Sequence, residues 1–232
     1  MKLFKFQQFN INQDDAVFRV GTDAVLLGSL ANPEDAKSAL EVGSGTGIVS
    51  LMLAQRFFGL NILAIDINES AVDLTNQNFI ESPFSARLKV SQSDFKSFES
   101  EEKFDFIFSN PPYFEANDSS KDVVARQKVE LDFQDLIQNA NRLLTEQGRF
   151  SVIIPSQDEI VFVALCKKEN LHLQRKVSIK GIEGGEVRRV ILDFTKIKPK
   201  HLVLEEFVIE KSPRQYSDQY LETTKDFHLF KS

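Results

Sequence analysis

The chain has 232 residues, 42% of them apolar and 27% charged, with 10 Gly, 7 Pro and 21 Phe, the proportions of an ordinary globular protein rather than a disordered or fibrous one. No uncharged apolar run approaches the ~18 residues of a membrane span, and the polar start MKLFKFQQFNINQDDA lacks the pattern of a secretory signal, so a cytoplasmic protein with no membrane partner is expected. The net charge of −6 excludes a uniformly basic nucleic-acid coat, yet residues 1–164 carry 14 Lys+Arg against 24 Asp+Glu while residues 165–232 carry 14 against 10.

In chain order, residues 1–36 read as an N-terminal cover segment. Within it Phe18-Arg19-Val20-Gly21-Thr22-Asp23 leads into an apolar helix, with Thr22 or Asp23 expected as its cap. Residues 37–170 alternate between strand-like and helix-like periodicity, the pattern of an α/β sheet. Short apolar runs at Ala39 to Val42, Ile62 to Ile65, Leu88 to Val90, Phe104 to Phe108 and Phe150 to Ile154 read as buried parallel strands. Helices are expected over 47–57, 69–80, 132–144 and 157–168, with Gln147-Gly148 stopping the third of them. Cys166 falls inside the apolar stretch IVFVALC. As the only cysteine it excludes an internal disulfide and a cysteine-cluster metal site, and it reads as core; no metal is expected.

Residues 171–232 hold three more strand-like runs, HLQRKVSIK, EVRRVILDF and HLVLEEFVI, the first two joined through Gly181 and Gly184-Gly185, and then a tail read as a short helix or docked arm. The expected fold is a single α/β domain, 1–232, built on a doubly wound, mostly parallel seven-stranded sheet with an antiparallel C-terminal edge. Lys196, Lys198, Lys200, Lys211, Arg188, Arg189 and Arg214 give this third its basic character. They suit either a phosphate backbone or solvated strand edges, and charge alone favours the edges. Alternation in EVRRVILDF places Arg188 and Arg189 on opposite faces.

The strongest motif is Glu41-Val42-Gly43-Ser44-Gly45-Thr46-Gly47, at the end of a predicted strand and the start of a predicted helix. Gly43, Gly45 and Gly47 let the chain turn tightly and let a ligand approach bare backbone. A dinucleotide fingerprint would place its third glycine one residue later. Here Glu41 stands just before the first glycine, where a carboxylate repels a pyrophosphate and suits a cation. S-adenosylmethionine, with its sulfonium and α-ammonium, is therefore the expected cofactor. Asp66 ends the second strand 19 residues after Gly47, a place from which a carboxylate accepts from both ribose hydroxyls. Asp94 follows the third strand, placed to accept from an adenine amine. Ile67 and Phe95, beside these two acids, and Ser44 in the loop complete the expected cofactor-binding set. Either acid alone is equally read as a turn former or cap. Thr22 and Asp23 are candidates for the methionine end, against the alternative of a capped helix alone.

The fourth strand ends in Asn110-Pro111-Pro112-Tyr113. Two prolines stiffen this loop and leave carbonyls free as acceptors. A planar amine is a poor nucleophile because its lone pair is delocalised. The Asn110 side-chain oxygen and the Pro111 carbonyl, each accepting one N–H, would hold it as it pyramidalises. Tyr113 suits stacking on an unpaired base.

At these residues the chain resembles class I S-adenosylmethionine-dependent methyltransferases with an NPPY loop, which act on exocyclic or amide nitrogens. The blocks Phe4 to Phe9, FRVGTDAVLLGSLA, EVGSGTG, SNPPYFE and YSDQYLETTKDFHLF narrow the resemblance to the bacterial tRNA1(Val) adenine-N6-methyltransferase family and cover nearly the whole chain. The resemblance implies a class I methyltransferase fold and a tRNA substrate modified at the adenine next to the anticodon. It gives Glu41 and the glycines to the methionine side, Asp66 to the ribose, Asp94 to the adenine, and Asn110, Pro111 and Tyr113 to the target. The alternatives are glutamine methylation of a translation release factor, N-methylation of another RNA or DNA base, and cofactor binding without catalysis. The release-factor enzymes usually carry an N-terminal helical domain, and only about 17 residues precede FRVGTD here. A monomer is expected, although the sequence does not fix the oligomeric state.

Overall fold

A computed structural model describes residues 2–13, 20–111 and 122–228. The chain opens with a hairpin of β1 (Lys2–Lys5) and β2 (Asn10–Gln13). It continues through α1 (Thr22–Leu30), β3 (Ser38–Val42), α2 (Ile48–Arg56), β4 (Asn61–Asp66), α3 (Glu69–Ile80), β5 (Leu88–Gln92) and β6 (Phe104–Ser109). There follow α4 (Asp122–Leu143), β7 (Leu144–Pro155), α5 (Glu159–Lys168), β8 (His172–Ile182), β9 (Val187–Thr195), β10 (Val203–Ser212), β11 (Gln215–Tyr216) and α6 (Asp218–Thr224).

Among the described residues nine strands form the main sheet, in the order β11-β10-β8-β9-β7-β6-β3-β4-β5. β3 to β7 are mutually parallel where they pair, and β9 runs against both β7 and β8. The expected antiparallel edge is therefore present, but the sheet has nine strands rather than seven. β10 adds to β8 in parallel register, and the two-residue β11 folds back on β10. Among the described residues no helix is long and apolar enough to cross a membrane.

The central strands are covered on both faces, which is why they read as unbroken apolar runs. Phe106, Phe108 and Ile191 pack with Val25, Leu26, Val49 and Met52 of α1 and α2 on one face. On the other, Ile107, Phe150, Val152 and Leu192 pack with Ile137 of α4 and Phe162 of α5. Cys166 is buried in this second layer, and burial pushes its thiol far up, so it is inert core.

Three expectations are corrected. The third helix starts at Asp122 rather than near residue 132, and it ends at Leu143 with no stop at Gln147-Gly148. Leu144 already pairs with Phe104, and the next registered pair is Phe106 with Arg149. β7 thus carries an irregularity at its start, and Gly148 lies inside it, where a Cβ would meet Leu144 Cγ at 2.7 Å. Finally, Gly21 is the N-cap of α1 and no side chain caps it, because Thr22 and Asp23 are already in the first turn.

Arginines from three distant elements take the other end of α1. Arg56 Nη1 donates to the carbonyls of Gly28 and Ala31 at 2.8 and 2.7 Å. Arg175 Nη1 donates to Leu30 at 3.1 Å, and Arg149 Nη1 to Asn32 at 2.8 Å. Carbonyls without a helical partner are thereby satisfied by cations at the negative end of the helix dipole. Burial and the neighbouring Arg175 charge lower the Arg56 guanidinium to about 10.

The first and last segments of the chain are joined. Phe6 forms an antiparallel bridge with His228, and their rings stack at 5.7 Å. Gln7 Nε2 donates to the carbonyls of Lys225 and His228, and Tyr220 Oη lies 3.2 Å from His228 Nε2.

Candidate active site

Strand order reverses beside β3, since β4 and β5 lie to one side and β6 and β7 to the other. A crevice at such a point, outside the carboxyl ends of the strands, is where open α/β sheets bind ligands. The glycine loop leaves β3 here with Gly43, Gly45 and Gly47 at φ of 81°, 54° and 74°. The N–H groups of Gly43 and Ser44 donate to the Ile65 carbonyl at 2.9 and 3.1 Å, so the loop folds across the end of β4.

The loop is braced from behind by α3. Thr75 Oγ1 donates to Gly45 O at 3.1 Å, and Asn78 Nδ2 to Thr46 O at 2.9 Å. Ser44, Thr75 and Asn78 are buried. A Cβ on Gly47 would meet the Phe79 ring at 2.7 Å, whereas one on Gly43 would meet nothing within 4 Å among the described residues. Gly47 is therefore required by packing, and Gly43 faces open space.

Glu41 is 3% exposed, and its Oε2 accepts from Ser50 Oγ of α2. Burial is the main cause that pushes its carboxyl up to about 8, and the nearby charge of Asp66 adds to this. Glu41, expected to project into the site just before the first glycine, sits beneath the first turn of α2. Asp66 is half-buried. Its Oδ2 accepts from Gly45 N–H and its Oδ1 from Asn68 N–H, both at 3.0 Å. The Asp66 carbonyl also takes Ser93 N–H at 2.9 Å, which ties the ends of β4 and β5 into one ledge. Ile67 stands 67% exposed on that ledge. Asp94 is exposed, and its Oδ1 accepts Lys96 N–H at 2.9 Å, which also makes it a turn former; Phe95 is half-buried against the core.

On the other side of β3, Val42 is in register with Ser109 of β6, and Ser109 Oγ donates to the Val42 carbonyl at 2.8 Å. Gly43 and Asn110 consequently follow directly on a registered pair, each the first residue beyond its strand. Asn110 and Pro111 are half-buried. Pro112 and Tyr113 lie outside the described residues. Thr22 is exposed, and Asp23 is ion-paired with Arg189 through Asp23 Oδ2 and Arg189 Nε at 2.8 Å.

The structure thus gathers Glu41, the glycine loop, Asp66, Ile67, Asp94 and Asn110 at one end of the sheet. Ser50, Thr75 and Asn78 were not singled out for this site from sequence, and Arg189 was named only as one of the basic residues of the C-terminal third. Thr75 and Asn78 did leave a signal, as polar residues three apart on the apolar stripe of α3. The lysines of the basic third separate from the site. Thr195, the last residue of β9, pairs with Arg149 of β7, and Lys196 Nζ donates to the carbonyl of Leu144, the first residue of β7, at 2.9 Å, so Lys196, Lys198 and Lys200 lie toward or beyond the opposite end of the sheet. Arg188, exposed at the start of antiparallel β9, lies at the active-site end. Among the described residues no group of three His, Cys, Asp or Glu is arranged to hold a metal ion.

The fold and this site define a class I methyltransferase-type domain. Residues 15–167 match the family model of the methyltransferase small domain. The fold is shared with a predicted O-methyltransferase from Agrobacterium tumefaciens, at TM-score 0.67 and 19% identity over 88% of this chain and 96% of that one. A methyltransferase from Pyrococcus furiosus has TM-score 0.62 and 19% identity over 81% and 89%. Curated relatives named tRNA1(Val) (adenine(37)-N6)-methyltransferase include one from Flavobacteriaceae bacterium (strain 3519-10), 49% identical over 99% of this chain and 100% of its own length. Another, from Phocaeicola vulgatus, is 40% identical over 97% of both. The chain belongs to the tRNA1(Val) (adenine(37)-N6)-methyltransferase family.

Proposed function

We propose that this protein transfers a methyl group from S-adenosylmethionine to the N6 amine of an adenine in tRNA, the adenine next to the anticodon of a valine tRNA, in the cytoplasm. The observation that carries the reading is the placement of Gly43 and Asn110 directly beyond the registered pair Val42–Ser109 of β3 and β6. It sets a cofactor loop and an amine-accepting loop side by side.

The residues present fit the cofactor. Open space before Gly43 among the described residues admits a ligand against bare backbone, and the Glu41 carboxyl, raised by burial, is one that a nearby cation favours in its ionised form. Glu41 and Asp23 serve the methionine end, Asp66 the ribose hydroxyls, and Ile67, Asp94 and Phe95 the adenine. Bound S-adenosylmethionine supplies an electrophilic methyl group. The Asn110 side-chain oxygen and the Pro111 carbonyl accept the two N–H groups of the target amine and orient its lone pair, with Pro112 stiffening the loop and Tyr113 stacking on the base. The aminium so formed loses its proton to water, so no side-chain base is required.

The test is transfer of labelled methyl to bulk tRNA and to a translation release factor. Label in tRNA, recovered as N6-methyladenosine, supports the reading. Label in the release factor alone replaces it with glutamine methylation.

A further inference from the structure

We infer that Arg189 is a positioning residue for this reaction, acting on the cofactor through Asp23. The inference rests on the proposed placing of Asp23 at the methionine end. Arg189 stands near the start of β9, in register with Pro155 of β7 and Ile179 of β8, at the active-site end of the sheet. Its Nε donates to Asp23 Oδ2 at 2.8 Å and its Nη1 to the Arg188 carbonyl at 3.1 Å. The guanidinium is thus tethered to its own strand while it grips a residue 166 positions away.

The pair is not what places α1 in the fold. Its side chains are 32% and 24% exposed, so it is partly open to water. α1 is already fixed at its far end by Arg56, Arg149 and Arg175, and along its length by Gly28, where a Cβ would meet Met52 Sδ at 2.7 Å. What the pair does fix is the first turn of α1. α1 and α2 run side by side away from the site, so that turn borders the glycine loop from which α2 starts. With Oδ2 held by Arg189, the Asp23 carboxylate has a set plane, and its other oxygen is the one assigned to the cationic group of the cofactor. Arg189 also faces Asp158 on the entry to α5. Burial pushes that carboxyl up and the Arg189 charge opposes the shift, so the cation acts on a second acid besides Asp23.

The test is calorimetric titration of the full chain with S-adenosylmethionine, for wild type, Arg189→Ala, Arg189→Lys, Asp23→Ala and the Arg189→Ala/Asp23→Ala double variant. Loss of one oriented charge-assisted bond is expected to weaken cofactor binding about tenfold in Arg189→Ala. Arg189→Lys, which keeps the charge but not the planar fork, falls between it and wild type. The double variant binds no more weakly than Asp23→Ala alone, because Arg189 acts through Asp23. In turnover the cofactor KM rises in Arg189→Ala while kcat at saturating cofactor is kept, and binding of unmodified valine tRNA without cofactor is unchanged. Unchanged cofactor affinity in Arg189→Ala, or additive losses in the double variant, overturns the inference, and weakened tRNA binding alone makes Arg189 an RNA contact instead. Unchanged affinity in Asp23→Ala overturns it too, by removing Asp23 from the cofactor site. Failure of methyl transfer itself is read separately, from wild type on bulk tRNA.

Discussion

Ser50 of α2 donates its hydroxyl proton to the buried carboxyl of Glu41, one residue before the strand ends in the glycine loop. Burial outweighs that hydrogen bond, which by itself lowers the value, and raises the folded-state value of the carboxyl to about 8, well above its ordinary 4.5. A raised value means that the folded protein keeps a proton the unfolded chain releases. The stability linked to it is therefore complete below about pH 4.5, declines as pH rises toward 8 and is flat above that. Glu41→Gln, which cannot ionise, is expected to remove much of this decline, an effect on the order of a few kcal/mol, while weakening cofactor binding. Thermal melts from pH 5 to pH 8 check it, and equal slopes in variant and wild type would contradict the assignment.

Asp66 and Asn110 are expected to separate cofactor binding from chemistry. Asp66→Ala removes the acceptor that meets Gly45 N–H as well as the proposed ribose contacts, and should weaken cofactor affinity by roughly 10- to 100-fold. Asn110→Ala should leave that affinity in place and lower turnover about 100-fold or more, since its acceptor works on the target amine. Calorimetry and single-turnover methylation on each folded variant give both numbers. Equal cofactor affinity in wild type and Asp66→Ala would remove the ribose role.

The docking of tRNA should ignore the lysines of the 196–200 segment. Lys196 is committed to the Leu144 carbonyl at the end of the sheet away from the site. Its triple change with Lys198 and Lys200 to Ala is expected to leave tRNA affinity close to wild type. Arg188→Ala, at the active-site end, should weaken binding and flatten its salt dependence by about one unit of slope. Filter binding between low and physiological salt distinguishes the two variants, and a triple variant with the flatter slope would return the docking face to the far end.

Gly28→Ala tests the packing of α1 on α2. The added Cβ would lie 2.7 Å from Met52 Sδ and 2.9 Å from Met52 Cβ, so the helices must move apart rather than a side-chain tip swing away. A loss of about 1–3 kcal/mol is expected in denaturant unfolding. A variant as stable as wild type would show that the interface has slack.

Much of this protein follows from local pattern. α3 spans Glu69–Ile80, the range read from its apolar spacing, and is capped by Asn68, whose side chain accepts Ser70 N–H at 2.9 Å. The glycine loop and Asn110 were legible for the same reason: a turn off a strand and a proline-stiffened loop are set by the residues that form them. What the sequence could not decide is what meets across the fold. The Asp23–Arg189 pair, the arginines on the end of α1, the burial of Glu41 under α2 and the Phe6–His228 bridge all join residues whose separation in the chain carries no periodic signal. The start of β7 was misread because its form depends on β6, against which Leu144 and Arg149 must both register. Sheet order decided the rest. Running β9 antiparallel turned Arg188 toward the active site and Lys196 away from it, although the two lie only eight residues apart on a single strand and its exit.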